Sequence, residues 1–125
     1  LVRLCVARAS DEQCARIVSL AKDGLAFHTD PVGFRLIDVE YHQAINAGAH
    51  NAILSTISEG LYNVAIDARR LASATPGVIE ISTAQHCRVA DAIAARQTET
   101  PVATDKEHLD HVLATTLSAS HTMTE

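Results

Sequence analysis

The sequence has 125 residues, which suits a single domain that buries a core without disulfides. Apolar residues make up 47% of the chain but aromatic residues only 3%, so Ala, Leu, Ile and Val must build the core, as is typical of packed helices. The formal net charge of -5 argues against a nucleic-acid-binding surface, because such surfaces need clustered Lys and Arg.

Two capping signals divide the N-terminal part of the chain into three predicted helices. Ser10 is followed three residues later by Gln13, which matches a capping box at a helix start. Asp30-Pro31 places an N-cap before a proline at the first helical position. A second helix is therefore predicted from Ser10, and a third from Asp30 to near Gly48.

Three more helices are predicted in the rest of the chain. A long helix follows Asn51 and ends or bends at Pro76-Gly77. Its predicted buried face consists of Ile53, Ile57, Leu61, Val64, Ala68 and Leu71. A further helix covers about Ser82 to Arg96, with Val78 to Ile81 ambiguous between helix and strand, and Pro101 begins the last helix. These patterns predict an all-α fold, an antiparallel bundle of about six helices.

Cysteine use and hydropathy bear on the compartment. Cys5, Cys14 and Cys87 are an odd number of cysteines at unrelated spacings within helical patterns, so we expect them to be reduced and structural. No stretch approaches the roughly 18 to 20 apolar residues of a membrane span, and no signal-like run opens the chain. We therefore expect a cytoplasmic protein without a membrane contact. Because Leu1 already lies in a helical pattern with no cap before it, we expect a fragment that begins inside a helix.

Asp38 and His42 are candidate metal ligands on the third helix. They are four residues apart, so both side chains project from one face of that helix. That position lies at the edge of the apolar stripe, from which a carboxylate and an imidazole face the bundle. Taken alone, the pair is more typical of a salt bridge on a helix surface.

Histidines on two further helices extend the candidate set. His86 lies at the centre of the apolar stripe of its helix, where a buried imidazole needs a partner, most often a backbone carbonyl. His108 lies near the apolar edge of the last helix, whereas His111 faces away and is expected to form a solvated ion pair with Glu107. The remaining histidines fall in loops or the tail, where surface positions are expected: His28, His50 and His121.

Three separate helices thus direct potential ligands toward the interior. One Asp and three His form a credible ligand set for a divalent metal, zinc before nickel or manganese. In a five- or six-coordinate geometry, four protein ligands would leave a position that could accept water or the carboxylate of a small acid.

The segments that carry these residues share a family pattern. Asp38 to His42 is an Asp-x-x-x-His segment, and Asn51 follows the end of its helix. Gln85 to Ile93 contains His-x-x-Val-x-x-Ala-Ile, and Lys106 to Leu109 closes with His-Leu. With these segments, the chain from Val2 to about Val112 resembles the FCD domain, the C-terminal effector domain of FadR-type GntR transcription regulators of bacteria.

The resemblance implies a ligand set and an effector class. The implied metal ligands are Asp38, His42, His86 and His108. The implied effector is a small organic acid, such as a sugar acid, lactate or a dicarboxylate, whose carboxylate lies at or beside the metal, with Asn51 as a candidate contact. Two positions differ from the family pattern, because His50 and Val89 stand where Gly and Ile are usual.

The resemblance also implies a homodimer that contacts DNA through an N-terminal winged-helix domain, which this sequence lacks together with most of the first bundle helix. Residues 1–125 are thus expected to form an effector- and metal-binding domain and not an enzyme.

The main alternative is a metalloenzyme acting on a small carboxylic acid, since the same four residues could activate a water. No general base, nucleophile motif or phosphate loop accompanies them in the sequence. A purely structural dimerisation bundle is a third possibility, but it leaves a buried Asp38 and His86 unexplained.

Overall fold

The computed structural model describes residues 1–64 and 66–124, and the side chains as far as residue 121 within them. These residues form seven α-helices and one short 3-10 helix, with no strand among them. The elements are α1 (Val2–Arg8), α2 (Asp11–Asp23), the 3-10 helix (Gly24–Phe27), α3 (Pro31–Ala49), α4 (Ala52–Val64), α5 (Ile66–Ala74), α6 (Val78–Ala94) and α7 (Glu99–Thr124). The all-α prediction is confirmed, and the ambiguous segment Val78 to Ile81 is the first turn of α6. The predicted long helix is described as α4 and α5, on either side of residue 65, which lies outside the described residues.

Both predicted helix starts have the expected caps. At α2, Ser10 Oγ accepts a hydrogen bond from Gln13 N at 3.1 Å, and Gln13 Oε1 accepts one from Ser10 N at 2.9 Å. At α3, Asp30 Oδ1 accepts from Gly33 N at 2.9 Å. The helix ends at His50, whose φ of 50° is left-handed, a conformation that favours glycine. The His50 ring lies 3.0 Å from Gln13 Oε1, so this residue ties the end of α3 to the start of α2.

The core lies where α1, α2, α3 and α6 meet. Its largest buried apolar side chains are Ile17, Leu20, Tyr41, Ile45, Val89 and Ile93. Helices α1 and α3 approach closely at Gly48, where a Cβ atom would lie 2.7 Å from Cys5 Sγ. Cys5 and Cys14 are buried free thiols, and burial raises the pKa of Cys5 to about 11. Such a thiol is a packing group rather than a nucleophile.

Helix α4 departs from the predicted packing. None of its residues is buried, although its apolar face was predicted to be. Val64, for example, has 86% of its surface exposed. Two residues of the predicted face, Ile57 and Leu61, line an open cleft shared with α7, whose Leu109 and Leu113 are also exposed. The described helices, including α7 with its 26 residues, contain no segment apolar and long enough to cross a bilayer.

Candidate metal centre

Three helices bring four candidate ligands together beside this cleft, which His42 and His108 line. Asp38 and His42 lie on α3, His86 on α6 and His108 on α7. Asp38 has 2% of its surface exposed, so it lies in the interior and not at the edge that the sequence indicated. His86 and His108 are equally buried, whereas His42 is half-buried and borders the cleft.

The three imidazoles present nitrogens to a common point. The ligand atoms of His42, His86 and His108 all lie within 4.8 Å of one another, and the Nε2 atoms of His86 and His108 are 3.0 Å apart. Two nitrogens bound to one zinc ion at about 2.1 Å are separated by roughly 3 to 3.5 Å. The separation of these two nitrogens is compatible with ligands of a single ion and also with a direct hydrogen bond between the rings.

The Asp38 carboxylate lies beside two of the three imidazoles, and the group of mutually close ligand atoms consists of the three histidines without it. Its Oδ1 is buried and lies 3.2 Å from His42 Nε2 and 3.6 Å from His86 Nε2, as ion-pair contacts without a hydrogen bond. Oδ2 accepts a hydrogen bond from the Tyr62 hydroxyl at 2.9 Å and one from Arg69 Nη2 at 3.4 Å. A buried carboxylate oxygen without a donor is costly, and a cation between it and the imidazoles would remove that cost.

Gln85 fixes the orientation of His108. Its side-chain Oε1 lies 2.7 Å from His108 Nδ1, and both residues are buried. Because an amide oxygen only accepts, Nδ1 must carry the hydrogen, which leaves the lone pair of Nε2 directed at the other histidines. Metal-binding histidines are commonly held in this way by an acceptor on their second nitrogen.

The buried members of the cluster have the protonation states that a metal requires. Burial, together with the neighbouring His42, lowers the pKa of His108 to about 3, and burial holds the pKa of His86 well below its usual value. Burial alone would raise the pKa of Asp38, but the neighbouring His42 and the charge of Arg69 hold it well below its usual range. Neutral imidazoles beside an ionised carboxylate are the ligand forms of divalent metals.

Tyr62, Arg69 and Gln85 were not anticipated from the sequence. Tyr62 and Arg69 are seven residues apart, a spacing that places side chains on one helical face, but nothing in that spacing marks Asp38 as their partner. Burial and the negative charge of Asp38 raise the pKa of Tyr62 to about 12, so its hydroxyl remains a donor. The contact of Gln85 depends on how α6 packs against α7 and has no local sequence signal.

The cleft beside the cluster encloses about 670 Å³. His42, Asn46, Arg69 and His108 are among its lining residues. Asn51, the candidate effector contact, instead caps α4, where its Oδ1 accepts a hydrogen bond from Leu54 N at 3.0 Å.

The other histidines lie away from this centre. His111 is half-buried, and its Nε2 is buried without a hydrogen-bond partner, so the expected solvated ion pair with Glu107 is wrong. Glu107 pairs instead with Arg88, at 3.6 Å. His28 lies 3.8 Å from Glu80 on the surface, and His121 is exposed.

Comparison with known proteins gives one match. The family model described as the FCD domain matches residues 1–111, a range that includes all four candidate ligands. No curated protein and no solved structure matches the chain.

Proposed function

This chain belongs to the FCD domain family, the ligand-binding regulatory domains of GntR-type transcription regulators, and we propose that it is the sensor of a bacterial regulator of the FadR subfamily. Its ligands are one divalent metal ion, zinc in preference to nickel or manganese, and a small organic acid that binds beside it. The proposed metal ligands are Asp38, His42, His86 and His108.

The observation that carries this proposal is the buried Oδ1 of Asp38, which accepts no hydrogen bond although it lies within 3.6 Å of two imidazole nitrogens. Three nitrogens and one carboxylate oxygen suit borderline divalent metals. The negative charge of Asp38 offsets part of the charge of the ion. Tyr62 and Arg69 hold the second oxygen of Asp38, so the carboxylate cannot rotate freely.

The acid binds in the cleft, because His42 and His108 form part of its wall. A bound metal supplies a positive centre to which a carboxylate is attracted. Arg69, which also lines the cleft and contacts Asp38, supplies a second positive charge. Helices α4 and α7 form the facing walls, so a ligand between them would alter their packing and provide the signal of the sensor.

We place DNA recognition in a winged-helix domain of the same regulator. The formal net charge of -5 leaves this domain poorly suited to phosphate backbones. We further propose that the domain forms a homodimer, which is the assembly that a regulator of a two-fold symmetric operator needs.

We propose binding without turnover. Among the described residues that line the cleft, Glu59 is the only carboxylate, and it is exposed to solvent. The cysteines lie elsewhere, and no Ser-His pair is found among the lining residues. The chemistry of the wall is that of a binding site.

Two measurements test the proposal. Metal analysis of the chain purified without chelators should find about one divalent ion per chain, and a chain that stays metal-free in added zinc or nickel would contradict the site. Calorimetry of the zinc-loaded chain with short carboxylic acids should then detect binding. An NMR spectrum of the acid after prolonged incubation should be unchanged, and the appearance of product would favour the metalloenzyme.

A further inference from the structure

The cleft beside the histidines is lined by two chemically different groups of side chains. His42, His108 and Arg69 are its basic and metal-binding candidates. Helix α4 contributes the aliphatic Ile57 and Leu61, and α7 contributes Leu109 and Leu113. The exposed fractions of these four side chains are 53%, 68%, 54% and 57%. Four large aliphatic side chains that face one cleft and keep more than half of their surface exposed form an apolar surface that a ligand could cover.

The charges around the cleft are few. Among the described lining residues, Arg69 is the only Arg or Lys, and Glu59 is the only Asp or Glu. Glu59 lies on α4, the helix that also contains Ile57 and Leu61. A second negative group on a ligand that extended along α4 would therefore meet aliphatic side chains and a carboxylate, with no cation to pair with.

Arg69 still has donor capacity for an anion. Its hydrogen bond to Asp38 is a single 3.4 Å contact from Nη2 to Oδ2, its Nε–H is buried without a partner, and 14% of its side chain remains exposed. The guanidinium also lies 5.5 Å from the centre of the Tyr62 ring, which holds it in place beside the cluster. A guanidinium with unused N–H groups is a preferred partner of a carboxylate.

From these observations we propose that the effector is a monocarboxylate with an unbranched or branched aliphatic tail. Its carboxylate binds beside Arg69, and its tail lies between Ile57 and Leu61 on α4 and Leu109 and Leu113 on α7. This inference rests on the proposed function, and it narrows the effector class from small organic acids in general. Polar side chains also line the cleft: Gln43, Asn46, Ser58, Asn63 and Thr116. A dicarboxylate or a sugar acid is still disfavoured where its second charge or its hydroxyl groups would lie among Ile57, Leu61, Leu109 and Leu113, because they would be desolvated there.

A series of six-carbon acids tests this specificity. The chain is saturated with zinc, its metal content is measured, and hexanoate, adipate, gluconate and the uncharged hexanamide are titrated by calorimetry, with acetate and butanoate as shorter homologues. We expect hexanoate to bind at least tenfold more tightly than adipate, gluconate or hexanamide. Affinity should rise by up to about fourfold per added methylene from acetate to hexanoate, the gain for burying one CH₂ group.

Variants distinguish the contribution of Arg69 to binding from that of the aliphatic side chains. Arg69→Gln, measured after saturation with zinc, should weaken hexanoate binding at least tenfold and reduce its advantage over hexanamide. The matched control is Arg70→Gln, because Arg70 is the neighbouring arginine and its exposed side chain pairs with Asp67 at 3.9 Å. Ile57→Asn and Leu113→Asn alter exposed side chains, so the fold should tolerate them, and they should weaken hexanoate binding while leaving acetate unchanged.

The outcomes distinguish this inference from the function on which it rests. If the chain binds neither zinc nor any of the acids, the proposed function fails. If zinc and acids bind but adipate or gluconate equals hexanoate, or affinity does not rise with chain length, the sensor stands and the aliphatic specificity is wrong. Hexanoate binding that is unchanged in zinc-loaded Arg69→Gln overturns the role of the guanidinium.

Discussion

The Nε2 atoms of His86 and His108, on two different helices, lie 3.0 Å apart in the interior. His108 donates from Nδ1 to Gln85, so its Nε2 carries a lone pair. Without a metal, His86 must therefore carry its hydrogen on Nε2 to satisfy the contact. With a metal, both nitrogens present lone pairs, so metal binding requires His86 to change its tautomer or lose a proton. Both nitrogens therefore have a partner with or without a metal, but only His86 must change its protonation when the metal binds.

The first prediction concerns Gln85, the acceptor behind His108. In Gln85→Leu, His108 Nδ1 loses its hydrogen-bond partner, so the ring is no longer fixed with Nε2 toward the cluster. We expect the affinity for zinc to fall roughly 10- to 100-fold, as is usual when such a supporting contact is removed. Competition with a chromophoric chelator measures this. Gln85→Glu, which keeps an acceptor oxygen, should retain most of the affinity, and equal affinities in wild type and Gln85→Leu would contradict the supporting role.

The second prediction concerns the ligands themselves. Zinc at about 100 times its Kd should add about 2.7 kcal/mol to the free energy of unfolding, because it binds only the folded chain. For a chain of this length that corresponds to an increase in Tm of roughly 10 °C. His86→Ala and His108→Ala should abolish this increase and lower the metal content. His111→Ala is the matched control on α7 and should keep both; if it loses the metal while His108→Ala keeps it, the choice of ligand on α7 is wrong.

The helix starts and the shared helical face of Asp38 and His42 could be predicted because their signals are local. The capping box of Ser10 and Gln13 and the spacing of Asp38 and His42 depend only on neighbouring turns. The contacts that shape the centre could not be predicted in this way. Gln85 reaches His108 because α6 packs against α7, a long-range arrangement without a sequence signal.

The exposure of α4 has a similar explanation. Its apolar positions at helical spacing identify an amphipathic face, and that face exists. Periodicity does not reveal what an apolar face contacts, and here Ile57 and Leu61 face a cleft instead of a core. The burial of Asp38 was underestimated because Tyr62, on α4, and Arg69, on α5, contact its carboxylate. These contacts can be identified only from the fold.

The third prediction concerns Tyr62, which joins α4 to the centre. Tyr62→Phe removes the 2.9 Å hydrogen bond to Asp38 Oδ2 and leaves the Arg69 contact as the remaining support of that oxygen. We expect the free energy of unfolding of the metal-free chain to fall by on the order of 1 kcal/mol, and zinc affinity to fall about tenfold. Urea unfolding and chelator competition measure the two effects. Unchanged values for both would mean that Asp38 is held without the phenol.

The last prediction concerns pH and follows from the pKa values of the buried histidines. In the folded chain, burial places the pKa of His108 at about 3 and that of His86 well below its usual value. In the unfolded chain, both histidines have pKa values near 6.5. Below pH 6.5 the unfolded chain therefore binds more protons than the folded chain. The free energy of unfolding therefore increases with pH in this window, and stability that is present at pH 7 is lost as the pH falls through about 6.5 toward 3. Each such histidine contributes a slope of up to about 1.4 kcal/mol per pH unit. Urea unfolding of the chelator-treated chain at pH 7, 6 and 5 measures the total slope. The His108→Gln variant should have a smaller slope, reduced by the share of one histidine. The same slope in both proteins would show that His108 is not held neutral by burial.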